Sequence, residues 1–395
     1  MYLPPYAPDY SGVCSALFEL SGIVVIHDAG GCTGNYTGYD EPRWYGSESA
    51  VFCSGLREMD AVLGLDNELM EKIKIVCNER KSPTNFIAIL GSPVPMLIGS
   101  DMKGIASELE KQIHIPCFGL DTNGFHIYHK GIAMAEKAIA ERFVKQPKTK
   151  KERGINILGM TPIDFSLNEN SEDLKKLLLK WGYDIISCFS MGASLKNIAE
   201  AAQAKINLVV SQGGMQLAQW MEKKYHIPYV AGIAMGKHGE ICLQKTLEKA
   251  LEHQKSYIIG KYEYKKDTFE KNTASNFDLP KRILFLGEQV QGISWRAAYR
   301  EKHEHDYIQI GCIFGRDDEL AEYGDIPLFD ESDVIKLFLS EKYDVVIADP
   351  LFEELIPNEK REHTKFVKFP HIAVSSKIYW DSVPRFIEER FEPYK

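Results

Sequence analysis

A cysteine on a glycine-rich turn is the residue of this sequence best suited to chemistry. Cys32 lies in segment 23–44, IVVIHDAGGCTGNYTGYDEPRW, shortly after the β-branched run Ile23–Ile26. Such a run predicts a buried strand, and in open α/β sheets ligands collect at the carboxyl ends of strands. A thiol presented there can bind a soft metal cluster. The polar, glycine-rich setting favours that role over a small residue that merely closes the turn.

Cys53 and Cys14 are the other candidate thiol ligands. Cys53 ends an apolar run and precedes a glycine. Cys14 lies in segment 12–18, which reads as the first turns of a helix that Ser11 could cap. A helix N-terminus lowers the pKa of a thiol and favours thiolate ligation, but a buried helical cysteine fits the same pattern. The sequence leaves open which of the two accompanies Cys32.

The remaining five of the eight cysteines are interpreted as structural. They lie inside apolar strands or helix faces, where free cysteine is commonly buried: Cys77, Cys117, Cys188, Cys242 and Cys312. No CxxC pair occurs, which argues against a zinc ribbon or a thioredoxin motif. Any metal site must therefore gather cysteines from distant loops or from two subunits.

Other segments are expected to flank the same sheet edge. The prolines of 91–101 predict a loop there, with a helix from about Asp101. His27 adjoins the Cys32 turn and could bond to it or relay protons, with a structural role preferred. His371 follows a strand-like run and could line a cleft. An aromatic loop could cover a cofactor or form a subunit interface; it contains Tyr36, Tyr39, Trp44 and Tyr45.

The elements that position these residues alternate between strand and helix. Strands are predicted at 23–26, 86–90, 155–158, 184–188, 208–210, 282–286, 307–310 and 345–348, and helices at 69–80, 132–143, 172–181 and 217–225. This alternation predicts an α/β fold of mostly parallel, Rossmann-like sheets flanked by helices. Two charged stretches, 145–153 and 262–271, are interpreted as linkers or exposed loops. They divide the chain into α/β domains at 1–150, 151–260 and 261–395, the first of which carries the cluster.

Composition excludes several classes of function. The 395 residues are 44% hydrophobic and 26% charged, which is typical of a globular protein. A net charge of -9 argues against nucleic-acid binding. No apolar run reaches the ~20 residues of a membrane span, and the N-terminus lacks a signal-peptide pattern. We therefore expect a cytoplasmic protein with mostly reduced cysteines.

Nucleotide-binding motifs are absent from the sequence. No GxxxxGK[ST] occurs, and no GxGxxG follows a strand. An ATP-driven or NAD-driven reaction would need a partner to supply that part.

Together these residues resemble the component 1 family of nitrogenases and nitrogenase-like reductases. In that family a strand ends in a His-Gly-x-x-Gly-Cys turn whose cysteine binds the electron-relay iron–sulfur cluster. Segment 27–32, HDAGGC, matches it with Asp28 in place of the first glycine. Segments 57–64 and 93–101 echo two further stretches of the family, and 206–211 and 224–229 resemble its middle domain.

The departures from the family are informative. The family's third cluster cysteine falls on Pro93, and its first lies before the position of Cys14. The cysteine that anchors the iron–molybdenum cofactor falls on Ser211, and the cofactor histidine aligns loosely with His371. The resemblance thus implies no molybdenum cofactor and no nitrogen fixation.

The resemblance implies the catalytic component of a nitrogenase-like reductase. One chain offers Cys32 with Cys53 or Cys14, and a cubane needs about four ligands. A 4Fe–4S cluster at a subunit interface follows, in a homodimer or a heterodimer with a sister component 1 subunit. A separate ATP-dependent iron–sulfur reductase would deliver electrons. The small-molecule substrate, a tetrapyrrole or a hard-to-reduce organic compound, would lie between the domains; the catalytic residues are unknown. The alternatives are a scaffold for cofactor assembly and a metal-free ligand-binding protein.

Overall fold

Three parallel sheets form the framework of the chain. The structure is a computed structural model that describes residues 3–44, 50–57, 66–261 and 280–387. Each described sheet is wholly parallel, and helices lie between most successive strands. The predicted α/β class with mostly parallel sheets is confirmed.

The first sheet has the order β2-β1-β3-β4. Its strands are β1 Ile23–Ile26, β2 Val51–Cys53, β3 Ile87–Leu90 and β4 Cys117–Leu120. The accompanying helices are α1 Asp9–Leu17, α2 Gly31–Asn35, α3 Asp66–Glu79, α4 Pro93–Ile98, α5 Met102–Ile113 and α6 Tyr128–Phe143. A π-helical turn, Tyr36–Asp40, directly follows α2. Strands β1 and β3 are buried along their whole length, as their uninterrupted apolar sequences require.

The second sheet has the order β6-β5-β7-β8-β9 and the third the order β12-β11-β10-β13-β14. The second unit contains β5 Gly154–Leu158, β6 Asp184–Cys188, β7 Ile206–Val209, β8 Tyr229–Ala231 and β9 Tyr257–Ile258, with α7 Pro162–Phe165, α8 Asn170–Lys180, α9 Leu195–Ala199, α10 Met215–Tyr225 and α11 Gly236–His253. The third contains β10 Arg282–Gly287, β11 Tyr307–Cys312, β12 Ile326–Pro327, β13 Val345–Ala348 and β14 Lys365–Lys368, with α12 Gln289–Arg300, α13 Glu331–Ser340, α14 Asn358–Arg361 and α15 Ile372–Ser375. The three sheets fall within the three predicted domain ranges, whose exact boundaries stay predictions.

Two local predictions are wrong. The proline-containing segment at 93–98 is not a loop but the helix α4, because proline is well tolerated in the first turn of a helix. Gly99, with φ 76°, ends α4 in the left-handed region. Helix α1 begins at Asp9 after Pro8, so Ser11 lies inside the helix and does not cap it. The predicted linker at 262–271, most of segment 57–64 and Tyr45 lie outside the described residues.

Helices α1 and α6 cross at unusually close range, at two glycines. A Cβ atom on Gly12 would lie 1.9 Å from the carbonyl oxygen of Tyr128, and one on Gly131 would lie 1.8 Å from that of Asp9. Only a residue without a side chain fits either position. This contact anchors α1 beneath the Cys32 turn and places the start of α6 near the centre of the molecule. No helix in the described part of the chain is long and apolar enough to cross a membrane.

Candidate functional site

The carboxyl ends of β1, β2 and β3 bring the candidate ligands to one edge of the first sheet. The parallel register places Ile26 beside both Cys53 and Leu90. The chain leaving β1 therefore turns into the Cys32 helix α2 next to the chain leaving β2. This is the sheet edge at which ligands bind in open α/β folds.

Asp28 organises the turn that carries Cys32. Its Oδ2 accepts the backbone N–H groups of Gly30 at 2.7 Å and of Cys32 at 2.9 Å. Gly30 has φ 130°, in the region that favours glycine. Ser92, at the end of β3, donates its hydroxyl to Asp28 Oδ1 at 3.3 Å. One buried carboxylate thus joins the β1 and β3 ends and orients the start of α2.

Cys53 is bonded to the same turn. Its thiol donates to the carbonyl oxygen of Asp28 at 3.2 Å, and the N–H of Gly55 donates to its sulfur at 3.3 Å. The Ser54 hydroxyl accepts the N–H of Asp28 at 3.1 Å and lies 2.8 Å from His27 Nδ1. These contacts give His27 a hydrogen-bonding role within the turn. They hold the β1 and β2 ends together with both sulfurs at the same edge.

The Cys32 thiol is half-buried and interacts with the Tyr10 hydroxyl of α1. Burial raises the pKa of Cys32 to about 11; the Tyr10 hydrogen bond opposes this rise, whereas Asp28 and Cys53 add to it. At neutral pH the thiol is therefore protonated without a metal. A bound cation would be needed to stabilise the thiolate, so metal binding would release a proton.

The structure does not bring Cys14 to this edge. Cys14 lies in the middle of α1 and is fully buried, with Asp40 and Glu41 nearby. Burial, then the charges of Glu41 and Asp40, raise its pKa well above the ordinary thiol value. The environment is therefore that of a core cysteine rather than a thiolate at a helix N-terminus. Of the three candidate ligands, the structure places Cys32 and Cys53 together.

The described residues of a single chain do not supply a complete set of cluster ligands. Pro93 begins α4, and the neighbouring Ser92 hydroxyl is engaged by Asp28. Within the described ranges, no group of three or more His, Cys, Asp or Glu side chains could hold a metal ion. A cubane requires about four ligands, so the two thiols fit such a cluster only if a second subunit contributes the others.

An exposed apolar surface adjoins the two thiols. Helix α4 exposes four apolar side chains, which we call the α4 apolar face: Val94, Met96, Leu97 and Ile98. Leu97 is 77% exposed. Phe125, which follows Gly124 beside Pro93, and Phe52, which precedes Cys53 on β2, are also exposed. Contiguous exposed apolar side chains are typical of surfaces that bind another protein.

The residues considered for a second cofactor are engaged within the protein. The Ser211 hydroxyl donates to the carbonyl oxygen of Gly159 at 2.6 Å. His371 Nδ1 accepts the N–H of Ala373 at 3.1 Å, and its Nε2 lies 3.2 Å from Asp164 Oδ1. Neither side chain is available as a ligand in this arrangement, and His371 joins elements of the core rather than an open cleft.

The aromatic loop divides between core and surface. Tyr36 is fully buried and contacts Trp44 edge to face, with ring centroids 6.1 Å apart. Tyr39 is exposed, and its carbonyl oxygen accepts the Ser376 hydroxyl.

Of the five cysteines interpreted as structural, Cys188, Cys242 and Cys312 are buried, whereas Cys77 and Cys117 are half-buried.

Sequence reasoning missed the residues that support the two thiols. Tyr10, Ser54 and Ser92 carry no local pattern that marks them, because each reaches the site from a different element. Asp28 carried a signal: an aspartate two residues before a glycine commonly accepts backbone N–H groups of its own turn. Segment 27–32 contains this pattern, with Asp28 two residues before Gly30, so the role of Asp28 in the turn was predictable.

Comparisons with known proteins agree with this fold. A family model described as "Nitrogenase component 1 type Oxidoreductase" matches residues 9–287. The chain belongs to the nitrogenase component 1 type oxidoreductase family.

Individual relatives differ in role. The nitrogenase iron-molybdenum cofactor biosynthesis protein NifE of Clostridium pasteurianum is 24% identical over 84% of this chain and 78% of its own length. The NifE of Rhodobacter capsulatus is 26% identical over 58% of this chain, and the nitrogenase molybdenum-iron protein alpha chain of C. pasteurianum is 25% identical over 69%. These two matches span 48% and 49% of the relatives' lengths, about half of each. The solved structure "Nitrogenase Cp1 at pH 5" has a TM-score of 0.66 at 17% identity, over 98% of this chain and 86% of that one.

Proposed function

We propose that this protein is the catalytic component of a nitrogenase-like reductase, with a 4Fe–4S cluster bound between two subunits. The observation that carries the proposal is the placement of Cys32 and Cys53 at one sheet edge, tied together through Asp28. Two copies would supply four thiolates. When bound, such a cluster would supply one-electron transfer.

Each surrounding residue has a defined task in this proposal. Asp28 holds the Cys32 turn in place, and Tyr10 donates a hydrogen bond toward the Cys32 sulfur, which favours the thiolate. The backbone N–H of Gly55 does the same for Cys53. Hydrogen bonds to cluster sulfurs also tune the reduction potential.

The α4 apolar face would form the contact with the second subunit. Helix α4 begins one residue after Ser92, which bonds to Asp28 of the Cys32 turn, so a partner seated on this face would lie near the thiols. An isologous dimer would double this surface and bring the two thiol pairs toward the two-fold axis. The partner is either a second copy or a sister component 1 subunit.

Electrons would come from a separate ATP-dependent iron–sulfur reductase, since the sequence contains no P-loop.

The substrate would be a small molecule bound between the three units, either a tetrapyrrole or another compound that is hard to reduce. Tyr128, Phe314 and His371 now pack against one another there, so substrate entry would require these rings to move. The engagement of Ser211 and His371 supports a reaction without a molybdenum cofactor. We place the protein in the cytoplasm.

The test is iron and acid-labile sulfide per chain in protein prepared without oxygen, with an EPR spectrum after dithionite reduction. One cluster per dimer predicts about two irons per chain. C32A and C53A should lose the iron and the visible absorption. C77A is the matched control, because Cys77 is also half-buried but lies on α3. C14A should keep the iron.

Other outcomes would refute the bridging site. About four irons per chain would mean that each subunit holds its own cubane. Iron retained in both C32A and C53A would remove these thiols from the site. By contrast, protein that binds iron only when produced with a sister subunit would support the bridging site and identify the partner as that subunit.

A second function is favoured by the similarity to NifE, whose name describes cofactor biosynthesis. In that case the protein would be a scaffold on which a metallocluster is assembled and passed on. Iron that moves from this protein to an acceptor, without substrate turnover, would support the scaffold. Colourless, iron-free protein would instead leave a metal-free ligand-binding protein.

A further inference from the structure

The three α/β units meet at a buried polar junction beside the proposed substrate region, and the proposed function assigns no role to its carboxyl and amide side chains. Glu288 follows β10 and reaches the end of the second sheet, where its Oε1 accepts the N–H of Gln212 at 2.8 Å. Its Oε2 accepts the N–H of Gln291, in the first turn of α12, at 2.7 Å. The carboxyl ends of the second and third sheets thus face each other through one carboxylate.

Asp164 of α7 completes the junction. Its Oδ1 accepts the Tyr128 hydroxyl at 2.5 Å and lies 3.2 Å from His371 Nε2. Its carbonyl oxygen accepts the side-chain N–H of Gln291 at 2.9 Å. Tyr128, Asp164 and His371 come from the first, second and third units respectively, so all three units meet here.

Three buried oxygen atoms at the junction have no hydrogen-bond partner. They are Asp164 Oδ2, Gln212 Oε1 and Gln291 Oε1. Their residues are 2%, 8% and 1% exposed, so bulk water does not solvate these side chains. A buried acceptor without a partner costs about 1–3 kcal/mol. Gln212 and Gln291 both bond to Glu288, and Gln291 also bonds to Asp164, so the three unpartnered atoms belong to one hydrogen-bonded network that can accept a ligand.

Reorienting the two amides does not satisfy these atoms. The Gln212 Nε2 donates to the carbonyl oxygen of Gly315 at 3.0 Å, and that of Gln291 donates to the carbonyl oxygen of Asp164. Exchanging oxygen and nitrogen would turn each contact into a repulsion between two acceptors. The junction therefore has a surplus of acceptors.

The junction also contains two buried carboxyl groups, Glu288 and Asp164. Burial, followed by the charge of Asp164, raises the pKa of Glu288 to about 8. The Glu288 carboxyl therefore retains its proton near neutral pH. Within the described residues, His371 is the only basic side chain that pairs with either carboxyl. The other titratable groups nearby are Tyr128, the neutral His129 and Asp349, which accepts the N–H of His371.

We propose that this junction binds one dehydrated monovalent cation of the size of K⁺ or NH4⁺, held by Asp164 Oδ2 and the side-chain oxygens of Gln212 and Gln291. Only one of these three oxygens belongs to a carboxyl group, whereas Ca²⁺ and Mg²⁺ prefer sites richer in carboxylates or retained water. The rings of Tyr128, Phe314 and His371 close the junction to larger ligands. The ion would hold the second and third units together.

The experiment is thermal unfolding of the full chain at equal ionic strength in KCl, NH4Cl and choline chloride. A ligand at about ten times its Kd raises Tm by roughly 1–3 °C for a chain of this size. The shift should appear with K⁺ and NH4⁺ but not with choline, which is too large. It should grow from pH 6 to pH 9, because the ion competes with the retained proton.

E288Q should keep the difference between K⁺ and choline but remove its growth between pH 6 and pH 9, since the retained proton of Glu288 is then no longer there to be lost. E136Q is the matched control, because Glu136 is another fully buried glutamate, but its oxygens accept the N–H of Gly159 away from the junction. E136Q should keep the K⁺ effect and its growth with pH. Comparing salts within each variant separates the ion effect from any general loss of stability.

Crystals soaked in a thallium(I) salt test the site without any substitution. An anomalous peak between Asp164, Gln212 and Gln291 is expected. Equal Tm in K⁺ and choline at both pH values, with no peak at the junction, would overturn the proposal and leave buried waters or a proton on Asp164 as the partners of these oxygens.

Discussion

Asp28 gives the sharpest test of how the thiol site is built. In D28A, the backbone N–H groups of Gly30 and Cys32 and the hydroxyl of Ser92 lose their shared acceptor. A hydrogen bond to a charged group contributes about 1.5–3 kcal/mol, so the two backbone bonds contribute roughly 3–6 kcal/mol. Water can reach the half-buried Cys32 turn, and a buried charge is removed. Both effects reduce the net loss to about 2–3 kcal/mol.

D28N should recover most of this loss. Its amide oxygen can accept the same two N–H groups, and its NH2 group can donate to the Ser92 hydroxyl oxygen. The hydrogen bonds remain, but they are weaker because the acceptor is no longer charged. The expected loss in the free energy of unfolding is therefore about 1 kcal/mol. The free energy of unfolding is measured with urea, and iron per chain reports the site itself. We expect D28A to lose iron and D28N to keep most of it.

A control separates this effect from ordinary helix capping. Asp101 accepts the N–H of Gly104 at 2.9 Å at the start of α5, on the exposed surface. D101A should cost about 1 kcal/mol and leave the iron content unchanged. The reasoning fails if D28A unfolds at the same urea concentration as the unaltered protein and binds the same iron.

Three further predictions concern other parts of the molecule. G131A should cost more than about 3 kcal/mol or prevent folding, since its methyl group would overlap the Asp9 carbonyl; urea unfolding measures this, and a cost below 1 kcal/mol would contradict the close crossing. Burial raises the pKa of Glu136 from 4.5 to about 8, so stability present below pH 4.5 should fall by about 1.4 kcal/mol per pH unit as the pH rises toward 8. E136Q should remove that part of the slope, and parallel pH profiles would refute it. L97E should leave the unfolding free energy of the protomer within about 0.5 kcal/mol, since Leu97 is 77% exposed. It should nevertheless abolish dimers and iron together in sedimentation and metal analysis, and a dimer with full iron content would exclude the α4 apolar face from the interface.

The central strands of the fold were predictable because their sequences are uninterrupted apolar runs. The predicted strand at 23–26 matches Ile23–Ile26, and that at 345–348 matches Val345–Ala348. Strands β2, β4, β8, β9, β12 and β14 were missed, and each is short or lies at a sheet edge. The edge strand β14, Lys-Phe-Val-Lys, is partly solvated, so its sequence lacks the apolar continuity that marks a buried strand.

The sequence by itself determined the α/β class and the arrival of Cys32 and Cys53 at strand ends, because strand periodicity and turn residues are local properties. Only the tertiary structure decided that the two thiols share an edge, that Cys14 lies in the core, and that Asp28 joins the ends of β1 and β3. It alone brought Asp164 and Glu288, 124 positions apart in the chain, into one buried junction. Burial and long-range hydrogen bonds depend on which elements pack together, and no local pattern records that.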